Sequence, residues 1–404
     1  MTPTATRDPR QHWLGLFAGF EKAPAAPAIA RLRQAGIAAF GQLGFPGPRD
    51  EDWKFTSLAP LHRHAFPHEA APPVLPAAPQ GAVVCSLAEG LAKHGAEPFL
   101  GRIADHRSLP LVALNTAFLS EGVFIRVPQG VACEEPILID HPPGGFRRVL
   151  IVVEAGAQVA VAERFAGTGV YFTCAVTEAH VGESASLDHY KSQRESGEAF
   201  HLGTLAVQME RASRFSTHYL GLGGALVRHE ARVLFRGEGA EATVNGLYQA
   251  AGSQHLDNHT VIDHAVPHCA SHELYKGILD GKSHGVFNGK IFVRQDAQKT
   301  DAKQSNQTLL LSDEATINTK PQLEIFADDV KCTHGATVGQ LDEGQLFYLR
   351  SRGIGEAQAR ALLTFAFAND VVSRVKVPAL RRELEAALLE AHHLPRLGLM
   401  EGDE

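Results

Sequence analysis

The segment ADDVKCTHGATVG, Ala327 to Gly339, gathers two acids, a lysine, a cysteine and a histidine in a chain that has five cysteines in all. Cys332 and His334 stand two positions apart. On a strand, side chains at this spacing point to one face with Cα atoms about 6.5–7 Å apart, close enough to meet at one ion. Thiolate and imidazole suit a soft metal or an iron–sulfur edge, but they are only two ligands, and a tetrahedral centre needs partners from another turn or another subunit. The same pair could instead form a Cys–His nucleophile with Asp328 or Asp329 orienting the imidazole, which would also require an oxyanion hole. In a third reading the residues are incidental to a buried strand. Spacing alone leaves all three open.

Other chemistry-bearing stretches are weaker. HLDNHTVIDHAVPHCASH carries His255, His259, His264, His268, Cys269 and His272. Their spacings of four, five and four do not follow the strand period, and no HExxH or paired CxxC completes a zinc site. Histidines exposed or singly hydrogen-bonded on turns are the expectation there. GILDGKS (277–283) has three residues between its glycines where a phosphate-binding loop needs four, and no GxGxxG follows a strand. No nucleotide is expected on this chain.

The composition is that of a soluble globular protein: 404 residues, 44% apolar, 21% charged, net charge −7. That balance gives no global pull toward nucleic acid or anionic membranes. Scattered cysteines without a CxxC pair read as reduced thiols. No stretch approaches the ~20 apolar residues of a membrane span, and the N-terminus lacks a signal-peptide core, so a cytoplasmic location is expected.

The elements that must position the Cys–His pair divide by texture. Residues 1–82 read as a helical region followed by a proline-rich linker; 83–122 as a short mixed α/β lead-in; 123–345 as a β core; and 346–404 as a C-terminal helical domain. In the core, short β-branched runs such as VFIRV (123–127), VLIVV (149–153) and VYFTCAV (170–176) follow one another without a helix. Val159, Leu187, Phe215 and Val244 align at steps of 28, 28 and 29 residues, the length of one coil of a β-solenoid with an apolar interior. QLEIFADDVKC reads as one strand with Leu323, Ile325 and Ala327 on one side. In VPALRRELEAALLEAHH (377–393), Pro378 opens a helix with Leu380, Leu384 and Leu388 on one stripe, which either packs inward or forms a docking face.

The stretch from Asp296 to Ile354, which contains KTDAKQSNQTLLLS, TKPQLEIFADDVKCTHGATVG and FYLRSRGI, resembles the SufD form of the SufB/SufD family, subunits of the SUF iron–sulfur cluster assembly system. EDWKFTSL (51–58), LVALNTAFLSEGVFIRVPQGV (111–131) and HTVIDHAVPHCASHELYKGIL (259–279) match further family segments. The SufB paralogue shares FYLxSRGI but typically carries an NxCDS sequence, which makes a SufB-type scaffold the alternative within the family. The resemblance implies a right-handed parallel β-helix flanked by N-terminal and C-terminal helical regions. It implies a non-catalytic scaffold that pairs with SufB through the C-terminal ends of the two β-helices and docks the SufC ATPase on its C-terminal helices; for the isolated chain a monomer and a homodimer both stay open. A transient iron–sulfur cluster would form at the SufB interface, with His334, and Cys332 beside it, as this chain's metal-site residues. Outside the family, a β-helix polysaccharide-active enzyme competes, against which stand the missing export signal and the missing ladder of carboxylates. A hexapeptide-repeat acyltransferase conflicts with the ~28-residue period.

Overall fold

A computed structural model describes residues 8–392 and 394. Its centre is a parallel β-solenoid of about eight turns. Each full coil gives one strand to a nine-stranded sheet and one to an eight-stranded sheet. The second sheet's later strands begin at Gln158, Ser186, Arg214, Glu241, Ala270, Asp301 and Lys331, 27 to 31 residues apart. Val159, Leu187 and Phe215 are partners in adjacent rungs, but Phe215 pairs with Ala242; Val244 lies opposite Thr217, one step further along the same face. A coil shortened by the loop before Glu241 causes that slip.

Helices cover both outer faces. α1 (Arg10–Phe20) and α2 (Pro27–Leu43) pack Trp13, Phe17 and Phe40 against Phe172, Phe200 and Leu226 of the first sheet. α2 starts on a proline and stops at Gly44, whose φ of 67° favours a residue without a Cβ. Short helices α3 (Leu87–Lys93) and α4 (Pro110–Ala117) complete this layer. At the other face, α5 (Glu343–Ser351), α6 (Glu356–Val372) and α7 (Pro378–Ala391) follow the solenoid. Leu380, Leu384 and Leu388 of α7 pack inward on Tyr190, Leu220, Leu247 and Ile278 of the second sheet. Each such leucine contributes roughly 1.5–3 kcal/mol. The stripe is therefore used within the chain. His393, the last residue of the expected 377–393 helix, lies outside the described residues.

The EDWKFT element works as a clasp. Arg228, buried in the first sheet, sits 3.9 Å over the Trp53 ring, donates to the Asp52 carbonyl at 2.8 Å and pairs with Asp257 at 2.7 Å. Thr56 Oγ1 donates to the same Asp257 at 2.6 Å. A second tie is the Glu178 carboxylate, wholly buried: it accepts the amides of Gly101, Ile103 and Ala104 and pairs with Arg148 at 2.6 Å.

The interior is not the uniformly apolar stack expected from the repeat. Glu163 points inward and accepts from Thr177 (2.6 Å), His141 (2.8 Å) and His189 (3.0 Å). Burial works to raise its pKa, but the two histidines hold it well below the carboxylate norm. Lys191 lies a rung further on, with Nζ 2.9 Å from His201, and burial lowers its pKa to about 8. Inward glycines make room for bulky neighbours: a Cβ on Gly246 would meet the Tyr275 ring at 2.2 Å.

Candidate functional site

Cys332 and His334 lie on the strand Lys331–Gly339, the last of the second sheet. QLEIFADDVKC is not one strand, contrary to its apparent alternation. The strand Thr316–Ile325 ends the first sheet, and the chain turns through Phe326–Val330 to cross to the second. Asp329 at this turn binds Lys299 and receives no histidine.

Parallel register fixes the facing. Cys332 pairs with Ala302, His334 with Gln304, Ala336 with Asn306 and Val338 with Thr308, and all four partners are buried inside the solenoid. Cys332 and His334 thus share the inward face that their spacing requires. No coil follows, so most of this strand is exposed, including His334. Val338 and Ile325, which occupy interior positions, are 47% and 38% exposed. The solenoid ends as an open stack with two unpaired strand edges.

Cys332 is half-buried against a small cluster with Ile291, Val293 and Ala302. Burial pushes its thiol pKa up. A reactive thiol needs the opposite shift, so the nucleophile reading loses its thiolate. His334 has no hydrogen-bond partner among the described residues. Among those residues no group of three or more His, Cys, Asp or Glu is arranged to hold a metal ion. Two soft donors on one face do not by themselves complete a tetrahedral centre.

One rung inward lies a pair that sequence reasoning missed. Gln304 Nε2 donates to Glu273 Oε2 at 2.7 Å, and both residues are buried. Burial raises the Glu273 pKa to about 7 from 4.5. A carboxyl raised in the folded state stabilises the fold fully at low pH and loses that contribution as pH rises through the folded value. Between about pH 4.5 and pH 7 the wild type is therefore expected to lose stability relative to Glu273→Gln, by up to about 3 kcal/mol. Denaturant titrations of both proteins across this interval check it, and parallel pH curves would refute it.

His255, His259, His264 and His272 lie on strands, whereas His268 and Cys269 lie in the turn between them, with His268 exposed as expected. His255 and Thr56 Oγ1 are 2.8 Å apart, His259 pairs with Asp257 at 2.9 Å and His264 with Ser271 at 2.9 Å. His255 and His259 serve the clasp side, whereas His264 points inward, so these three histidines hold the fold together. GILDGKS forms a strand end and turn, with no helix to receive a phosphate.

Comparisons with known proteins identify the family. A family model described as SUF system FeS cluster assembly, SufBD core domain, matches residues 138–367, and one described as SufBD protein N-terminal region matches 70–139. An iron–sulfur cluster assembly SufBD family protein of Synechocystis is 34% identical over 88% of this chain and 89% of its own length. The iron–sulfur cluster assembly protein SufD of Escherichia coli is 31% identical over 94% of this chain and 95% of its own. A chloroplastic protein of Arabidopsis thaliana, ABCI7, is 36% identical over 62% of this chain and 56% of its own. With matches to both family segments and relatives above 30% identity along most of its length, the chain belongs to the SufBD family of the SUF iron–sulfur cluster assembly system.

Proposed function

We propose that this chain is the SufD-type scaffold subunit of a SUF assembly complex, with no catalysis of its own. In this reading it pairs with a SufB-type partner through the open end of the solenoid, and His334, with Cys332 beside it, offers ligands to a nascent iron–sulfur cluster at the joint. A SufC-type ATPase docks on the C-terminal helices and supplies the nucleotide hydrolysis. The observation that carries the reading is the uncapped last coil, which sets two free edges and two soft ligands on one surface. The likeness to SufD of Escherichia coli along nearly the whole chain favours the SufD form over the SufB form.

The helical docking surface has to be one that the chain leaves free. The α7 leucines are occupied, but Phe347 and Tyr348 of α5 are 72% and 57% exposed beside the open end. Among the described residues no helix is long and apolar enough to cross a membrane.

Edge pairing has a specific test. The Lys331 amide bonds to Thr300 of the preceding rung. In a parallel ladder the alternate residues, Ala336 among them, aim their N–H groups away from that rung. Proline is tolerated where the N–H faces outward. Ala336→Pro is therefore expected to fold but to fail to co-purify with a co-expressed SufB-type partner. An undiminished yield of the pair would exclude edge-to-edge joining.

A further inference from the structure

The interior rungs beneath the candidate ligand form a column. Val244, Glu273, Gln304 and His334 are successive partners in parallel register, each on the inward face. Gln304 is 3% exposed and Glu273 4%. The bond from Gln304 Nε2 to Glu273 turns the amide nitrogen toward the carboxyl. The other end of the amide, Oε1, is buried and has no partner. Buried amide oxygens in folded proteins are normally satisfied, so an orphan of this kind points to a missing donor.

The nearest donor by register is the ring of His334 on the next rung, which is exposed and makes no bond to the amide in the unpartnered chain. Adjacent rungs lie about 4.8 Å apart, within which a side-chain amide and an imidazole can meet. The space is built for the amide: across the lumen stands Gly289, where a Cβ would come within 2.2 Å of Gln304 Nε2. Any larger residue there would drive the amide out of the column.

We propose that Gln304, anchored by Glu273, is the positioning residue for His334: its Oε1 accepts one imidazole N–H and thereby presents the opposite ring nitrogen, as a lone pair, to the cluster at the solenoid's end. This rests on the reading of His334 as a cluster ligand. The physical logic is that of metal-bound histidines, whose second nitrogen donates to a carbonyl or carboxylate that fixes tautomer and ring plane. An imidazole free to adopt either tautomer and any rotamer spends part of its time with no lone pair toward the metal. Gln304 removes that freedom without touching the cluster.

The test uses the full chain in the assembled complex with its SufB-type and SufC-type partners, loaded anaerobically and reduced. Two readouts apply: the 14N hyperfine coupling to the cluster in pulsed electron paramagnetic resonance, and the half-life of the cluster against an added iron chelator. His334→Ala is expected to remove the coupling. Gln304→Met, which keeps the volume and loses the acceptor, is expected to alter the coupling and shorten the half-life roughly tenfold or more. Unchanged coupling in His334→Ala would overturn the ligand reading, and this inference with it. Loss of coupling in His334→Ala beside wild-type behaviour of Gln304→Met would overturn the positioning role alone. If Gln304→Met fails to assemble, Gly289→Ala decides by the same two readouts, since it displaces the amide from across the lumen.

Discussion

Replacing His334 with alanine is expected to leave the protein as stable as the wild type and still bound to its partners, while cluster yield falls roughly tenfold or more. The two halves of this result have separate physical causes. His334 is exposed, has no hydrogen-bond partner among the described residues and sits on an edge strand, so its removal falls in the class of surface changes worth within about 0.5 kcal/mol. Pairing through strand edges uses backbone groups that alanine retains. The loss falls on the imidazole nitrogen, the proposed ligand atom. Cys332→Ser is expected to reduce yield less, because the thiol is half-buried and its raised pKa makes the thiolate costly to form. Acid-labile sulfide and iron counted per complex provide the measurement. Full occupancy in His334→Ala would remove the site from this chain.

The second large effect concerns the fold. Glu178→Ala is expected to destabilise the protein by about 4 kcal/mol, in the range for breaking a buried ion pair. Arg148 would keep its charge in the interior with only Asn115 and Thr116 oxygens nearby, and the amides of Gly101, Ile103 and Ala104 would lose their acceptor. Hydrogen exchange is expected to accelerate at those three amides before it does in the solenoid. A compensating Arg148→Met change should recover part of the loss, since an apolar pair often replaces a buried ion pair at little cost. Denaturant titration of the single and double variants checks both statements. A loss below about 1 kcal/mol for Glu178→Ala would show that the lead-in is held by its apolar contacts alone.

The helices were legible where local chemistry set them. Pro27, Gly44 and Pro378 mark ends, and the spacing of Leu380, Leu384 and Leu388 marks a buried face. The coil period was legible from Val159, Leu187 and Phe215, but register was not, because coil length drifts between 27 and 31 residues. The inward polar groups were hidden for a related reason. Strands such as Phe172–Val181 are buried on both faces, one by the lumen and one by helices, so alternation no longer separates inside from outside. Glu163 and Lys191 consequently look like surface residues in the sequence. For the candidate site, the Cys332–His334 spacing carried its own facing. Gln304 and Glu273 lie one and two coils earlier, and only the rung pairing reveals that they stand in line with His334.

Under the proposed edge pairing, the uncapped last coil also ties the chain's state in solution to partner supply. Two bare strand edges with Ile325 and Val338 beside them form a template for any second edge of matching length. With the partner in excess, every template would be covered. With the chain in excess, the same edges would face each other, and self-association would grow with concentration until partner competed it away. The proposed joining surface would thus also keep account of stoichiometry.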